Sequence, residues 1–139
     1  MKECPVFGLY RASRLLTRVY NKHLKDINLS YPQYLVLQIL SEKKRLHVDE
    51  IGEMMLLDSG TLSPLLKKLE SAGYVTRLPD TQDERKKNIT LTPQGLSLSA
   101  RFDVIRENIK KEFSLNQGDL SELLRILNLI LAAEKERKK

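Results

Sequence analysis

The chain has 139 residues, 41% hydrophobic and 30% charged, with a formal charge of +6. That length suits one domain able to bury its own core, and no apolar run approaches the roughly 20 residues that cross a bilayer, so no membrane partner is expected. The single cysteine, Cys4, cannot make an internal disulfide, and the start MKECPVFGLYRASR lacks a signal-peptide apolar segment; both fit a cytoplasmic protein.

From Val6 to Ile27, apolar residues at Val6, Leu9, Tyr10, Leu16, Val19, Tyr20, Leu24 and Ile27 follow helical spacing, with Arg11, Arg14, Arg18, Lys22 and Lys25 between them. This predicts a long amphipathic helix with a basic, solvated outer face. Ser30 caps a second helix with Pro32 in its first turn, and Tyr34, Leu35, Leu37, Ile39 and Leu40 supply core residues. The run Lys43, Lys44, Arg45 reads as a solvated turn, after which Leu46 and Val48 suit a short strand.

Asp49 to Leu56 is a shorter helical pattern with Ile51, Met54 and Met55 inward. A tight link leads to LDSGTLSPLLKKLESAGYVTR, residues 57–77, around which the chain is organised. Asp58 is the N-cap, and Leu62, Leu65, Leu66 and Leu69 form one apolar stripe. The other face carries Ser59, Thr61, Ser63, Lys67 and Lys68, short hydroxyls and ammonium groups suited to base edges and phosphates in a DNA major groove. Gly73 ends the helix in a position that tolerates positive φ. Pro64 removes one backbone hydrogen bond, and a bent or tightened first turn is expected there, with regular helix from Ser63 as the alternative.

Tyr74 to Leu78 and Asn88 to Thr92 are β-prone runs joined by PDTQDERKK, a hairpin with a charged tip. Helix, turn, helix and hairpin in this order make a winged helix-turn-helix, and the fold class is mostly α with a small β-hairpin (α+β). Thr92 and Pro93 start one further helix with the stripe Leu98, Phe102, Ile105, Ile109 and Phe113. A break at SLNQGD precedes a last helix with Leu120, Leu123, Leu124, Leu127, Ile130 and Leu131 on one side, and EKERKK reads as a frayed tail. The terminal helices carry more apolar surface than a winged helix needs, which predicts an isologous homodimer; an intrachain bundle is the other way to cover it.

Charge alone does not argue for DNA binding. Residues 1–48 hold nine Lys/Arg against three Asp/Glu, residues 49–92 six against eight, and residues 93–139 nine against seven. The presumed reading segment is slightly acidic, but Asp49, Glu50 and Glu53 lie on its first helix while Lys67, Lys68, Arg85, Lys86 and Lys87 lie on the second helix and wing. Segregation of sign by face decides more than the total.

FGLYRASRLLTRVY, LSYPQYLVLQIL, LDSGTLSPLLKKLESAGYVTR and DERKKNITLT, in that order, give the chain a resemblance to the MarR family of bacterial transcription regulators, and within it to the one-cysteine organic hydroperoxide sensors. The resemblance implies a homodimer, usually a repressor, bound to double-stranded DNA. It implies one MarR-like domain over 1–139, with 31–92 the winged helix-turn-helix and 1–30 and 93–139 the helical dimerisation region. By motif position, Ser59, Thr61, Ser63, Pro64, Lys67 and Lys68 belong to the recognition helix. Arg85 enters the minor groove held by Asp83, with Lys86 and Lys87 beside it.

In the sensor subgroup the reactive cysteine directly precedes the segment matching FGLY, and that position here is Val6. Cys4 stands two residues earlier, before Pro5, whereas the two tyrosines that address the thiol are present as Tyr20 and Tyr31. Two readings stay open: Cys4 senses an organic hydroperoxide, or it is inert and the protein senses a small hydrophobic ligand or regulates constitutively. No catalytic residues, metal or cofactor are expected, since His23 and His47 are isolated and no phosphate loop, ligand cluster or nucleophile elbow appears. A winged helix serving as a protein-interaction module is the competing function. Steep salt dependence of DNA affinity discriminates against it.

Overall fold

The structure, a computed structural model, describes residues 4–137. Their elements are α1 (Pro5–Leu24), α2 (Tyr31–Lys43), β1 (Arg45–His47), α3 (Val48–Met55), α4 (Ser59–Ser71), β2 (Val75–Pro79), β3 (Lys87–Leu91), α5 (Pro93–Ser99), α6 (Phe102–Glu112) and α7 (Gln117–Arg137). They form two compact units, divided between Arg106 and Glu107. Among the described residues no helix is long and apolar enough to cross a membrane.

In the first unit the expected long N-terminal helix is α1 followed by a 3-10 turn over Lys25–Ile27. Asn28 at φ 55° turns the chain into α2. Ser30 and Gln33 cap that helix reciprocally: the Gln33 N–H donates to Ser30 Oγ, and the Ser30 N–H donates to Gln33 Oε1. α2 is the central helix, with Tyr34, Val36, Leu37 and Leu40 buried and Leu35 and Ile39 packed on the same core. A helix covered on most sides shows no single apolar stripe, which is why Val36 escaped the sequence pattern.

β1 pairs antiparallel with β3, and β3 with β2, giving the order β1-β3-β2 with Leu46 opposite Ile89 and Arg77 opposite Ile89 from the other side. The expected strand at Leu46 is therefore present beside the wing, but it spans Arg45–His47. Val48 opens α3, and Arg45 is strand rather than solvated turn. In α3, Ile51 is buried and Met55 packs on the core, whereas Met54 is 49% exposed, contrary to expectation. Neighbouring helical residues point 100° apart, and the packing against α4 selects the Ile51–Met55 side. Leu56 at φ 52° makes the tight turn into α4.

The single helix expected after Thr92 is two helices. α5 ends at Ser99, and the Arg101 N–H donates to Leu98 O at 3.0 Å, a tightened turn that restarts the chain as α6. Phe102 then meets Tyr34 edge-on with ring centroids 4.6 Å apart. In the second unit, Asn116 and Asp119 cap α7 reciprocally through side chain and backbone. Helix persists to Arg137 where a frayed tail was expected; Lys138 and Lys139 lie outside the described residues.

Candidate nucleic-acid interface

α4 starts where Asp58 caps it, Oδ1 accepting the Thr61 N–H at 2.8 Å, and this bond holds the Asp58 carboxyl below the usual carboxylate range. Regular helix runs through Pro64 from Ser59. Spacing puts Gly60 and Pro64 opposite the leucine stripe, both exposed, so the Gly60 carbonyl left without its helical donor faces water. At the far end the Tyr74 N–H reaches Leu69 O and the Gly73 N–H reaches Glu70 O, both 3.0 Å, with Gly73 at φ 83°. This paired closure requires the left-handed residue that glycine accepts without steric cost.

Between these stops Leu62, Leu66 and Leu69 are buried and Leu65 packs on the core, while Ser59, Thr61, Pro64, Lys67 and Lys68 are exposed and Ser63 half-buried. The structure thus brings six of the sequence-predicted residues onto the uncovered side of one helix.

The wing tip is ordered by two carboxylates. Asp83 Oδ1 accepts the Arg85 backbone N–H at 3.1 Å and the Arg85 Nε–H at 3.2 Å, while the Arg85 side chain is 91% exposed. The guanidinium bond lowers the Asp83 pKa first, the backbone bond second. Lys86 and Lys87 are exposed beside it. Asp80 Oδ1 accepts from Asn88 Nδ2 at 3.1 Å across the hairpin, a bond that depresses the Asp80 pKa and that sequence reading missed. The signal was available as an Asp after Pro79 facing a polar residue in an otherwise alternating strand. Thr76 and Thr90 add a hydroxyl pair at 2.8 Å.

The proposed sensor residues are only partly assembled. Tyr20 and Tyr31 stack at 4.4 Å, with Tyr34 5.5 Å from Tyr20. Burial pushes the Tyr34 hydroxyl up to about 12 and, with Tyr20 beside it, raises Tyr31 as well. Cys4, half-exposed, precedes the first turn of α1 and accepts the Gly8 N–H on its carbonyl. Sixteen residues separate it from Tyr20, roughly 24 Å of helix axis. Tyr20 of the same chain is therefore out of reach of the thiol.

The MarR family pattern matches residues 29–87, the stretch containing α2 to the start of β3. The HTH-type transcriptional regulator SarZ of Staphylococcus aureus is 36% identical over 118 residues, 85% of this chain and 80% of that protein. The chain belongs to the MarR family. Among solved structures, AbfR of Staphylococcus epidermidis is 33% identical with a TM-score of 0.78, covering 96% of this chain and 91% of that one. Reduced AbfR bound to DNA gives 34% and 0.74 over 92% and 89%. Overoxidized AbfR bound to DNA gives 34% and 0.70 over 91% and 90%. MepR of S. aureus in a DNA-binding conformation, 22% identical with a TM-score of 0.81 over 94% and 98%, shares the MarR fold.

Proposed function

We propose that this MarR-family protein is a homodimeric transcription regulator that binds a pseudo-palindromic operator in the cytoplasm, most simply as a repressor, and is released by an oxidant or small ligand. The observation that carries the reading is the uncovered hydroxyl-and-lysine face of α4 beside a wing whose exposed Arg85 is aimed by Asp83. Relatives crystallised on DNA support it. The exposed apolar residues of α1 and of α7 support a second chain as their cover. The test is a selection from random duplexes with the purified protein, with and without an organic hydroperoxide. Failure to enrich any sequence, with affinity insensitive to salt, would favour the protein-interaction module.

Arg85 is the guanidinium that enters a narrow A·T-rich minor groove, where negative potential is concentrated. Arg85→Ala should weaken operator binding about 5- to 160-fold on A·T-rich flanks and less on G·C-rich flanks, in line with roughly 1–3 kcal/mol per specific contact. Asp83→Ala should do part of the same damage. Equal losses on both flanks would contradict groove insertion.

For the signal, a Cys4 thiolate would attack the terminal oxygen of a hydroperoxide, breaking the O–O bond to give a sulfenic acid and an alkoxide that takes a proton from water to leave as the alcohol. Because Tyr20 of the same chain lies too far away, assembly of this sensor would need tyrosines from the partner protomer. Stoichiometric cumene hydroperoxide should release wild-type protein from DNA and leave Cys4→Ser bound. Release of both, or of neither, removes Cys4 from the mechanism and leaves ligand sensing.

A further inference from the structure

A groove of about 650 Å³ opens at the end of α4, lined among others by Asn21, Lys25, Ser30, Gln33, Lys68 and Tyr74. It joins three parts of the chain: the 3-10 turn after α1, the start of α2, and the last turns of α4. Lys68 belongs to the recognition helix, whereas Lys25 lies forty-three residues earlier in a face that the sequence suggests is merely solvated.

The positive end of α2 does not explain this groove. The Tyr31 N–H is taken by Asn21 Oδ1 at 3.0 Å, the Gln33 N–H by Ser30 Oγ at 3.3 Å, the Ser30 N–H by Gln33 Oε1 at 2.9 Å, and Pro32 has none to offer. The cationic side chains that line the groove are Lys25 and Lys68. Among the described residues neither lysine has a carboxylate within ion-pair distance, and nearby Glu70 is committed to Arg77 at 3.4 Å. Two like charges sharing one concavity repel each other, and an anion between them removes that cost.

We propose that Lys25 and Lys68 form a second phosphate-binding site, in which the DNA strand flanking the major groove lies across the corner between α1 and α2. The inference rests on the DNA-binding reading and extends it. Small-molecule sites enclose most of their ligand. This groove is broad and open, which suits a backbone running through it rather than a free anion held within it. The position agrees, since Lys68 sits one turn beyond exposed Pro64 on the helix that fills the groove, where the duplex backbone must pass.

The test measures operator affinity between 50 and 200 mM salt for wild type, Lys25→Ala, Lys25→Arg, Lys68→Ala and the double alanine variant. Each alanine should flatten the slope of log affinity against log salt by about 0.9, so that its deficit shrinks about three- to fourfold over that range, with the double variant losing about twice as much slope. Lys25→Arg should keep the wild-type slope. If wild type binds DNA steeply and Lys25→Ala matches it in slope and affinity, the site is wrong and the DNA-binding reading stands. If wild type shows no salt-dependent DNA binding, that reading falls and this one with it. If Lys25→Ala keeps the slope while inorganic phosphate at constant ionic strength perturbs the amides around Lys25 and Lys68, the groove holds free anions and the proposal is overturned.

Discussion

Leu124→Asp is expected to convert the protein from a dimer to monomers in sedimentation equilibrium at micromolar concentration and to abolish operator binding in the same range. Leu124 is 58% exposed in the single chain, and Leu123, Ile126, Leu129, Ile130 and Leu131 on α7 are exposed with it. α1 independently exposes Val6, Leu9, Tyr10, Leu15 and Leu16. Large apolar side chains left exposed in such numbers on one chain point to an interaction surface. Burying a leucine contributes roughly 1.5–3 kcal/mol, and an isologous interface counts each substitution twice, so the dimer constant should weaken by about 10²–10⁴-fold. Leu124→Ala, which removes area without adding charge, should weaken the dimer less and keep helical circular dichroism. A wild type that is monomeric at micromolar concentration would sink the architecture, and so would a Leu124→Asp variant that remains fully dimeric.

How much of this was legible in the sequence depended on whether the deciding interactions were local. As helix caps and stops, Asp58, Gly73, Ser30 and Thr92 each act on groups within four residues, so caps, the reading helix and the wing could be located from the chain alone. The break after Ser99 could not, because LSLSARF contains neither glycine nor proline. The turn there is set by Phe102 reaching Tyr34, a contact between residues 68 apart in sequence. Met54 and Met55 were indistinguishable by period and were separated by packing on the core. In the candidate site, α4 and Arg85 were readable because their polar residues share one helix or one turn. The groove holding Lys25 and Lys68 was not, since it exists only once the α1–α2 corner is folded against α4. The distance between Cys4 and Tyr20 within one chain was not legible as an obstacle until α1 was seen to run straight from its N-cap at Cys4 to Leu24, which keeps the two apart.

Gly95→Ala should be the most destabilising single-methyl change in the winged unit. A Cβ at Gly95 would clash with the backbone oxygen of Tyr74, with Leu91 Cδ2 at 3.3 Å, and backbone cannot swing aside as a side chain can. The same Tyr74 oxygen accepts the Thr92 N–H at 3.0 Å, while Thr92 Oγ1 accepts the Gly95 N–H and donates to Gly73 O. The first turn of α5 is thereby joined to the end of α4 and the start of β2, and a methyl at Gly95 must push these apart. Overpacking costs about 1–3 kcal/mol, and each strained or lost hydrogen bond adds about 1 kcal/mol. A total near 3 kcal/mol would lower Tm by roughly 10 °C for a chain of this size. Gly60→Ala is the control: its Cβ meets only Asp58 Oδ1 at 3.4 Å, an ordinary contact, on an exposed helical position where alanine is favoured by about 1 kcal/mol. Calorimetry should therefore separate the two variants by well over 5 °C. If Gly95→Ala melts within a degree of wild type, the close approach of α5 to β2 is not present in solution, and the wing is not clamped through Thr92.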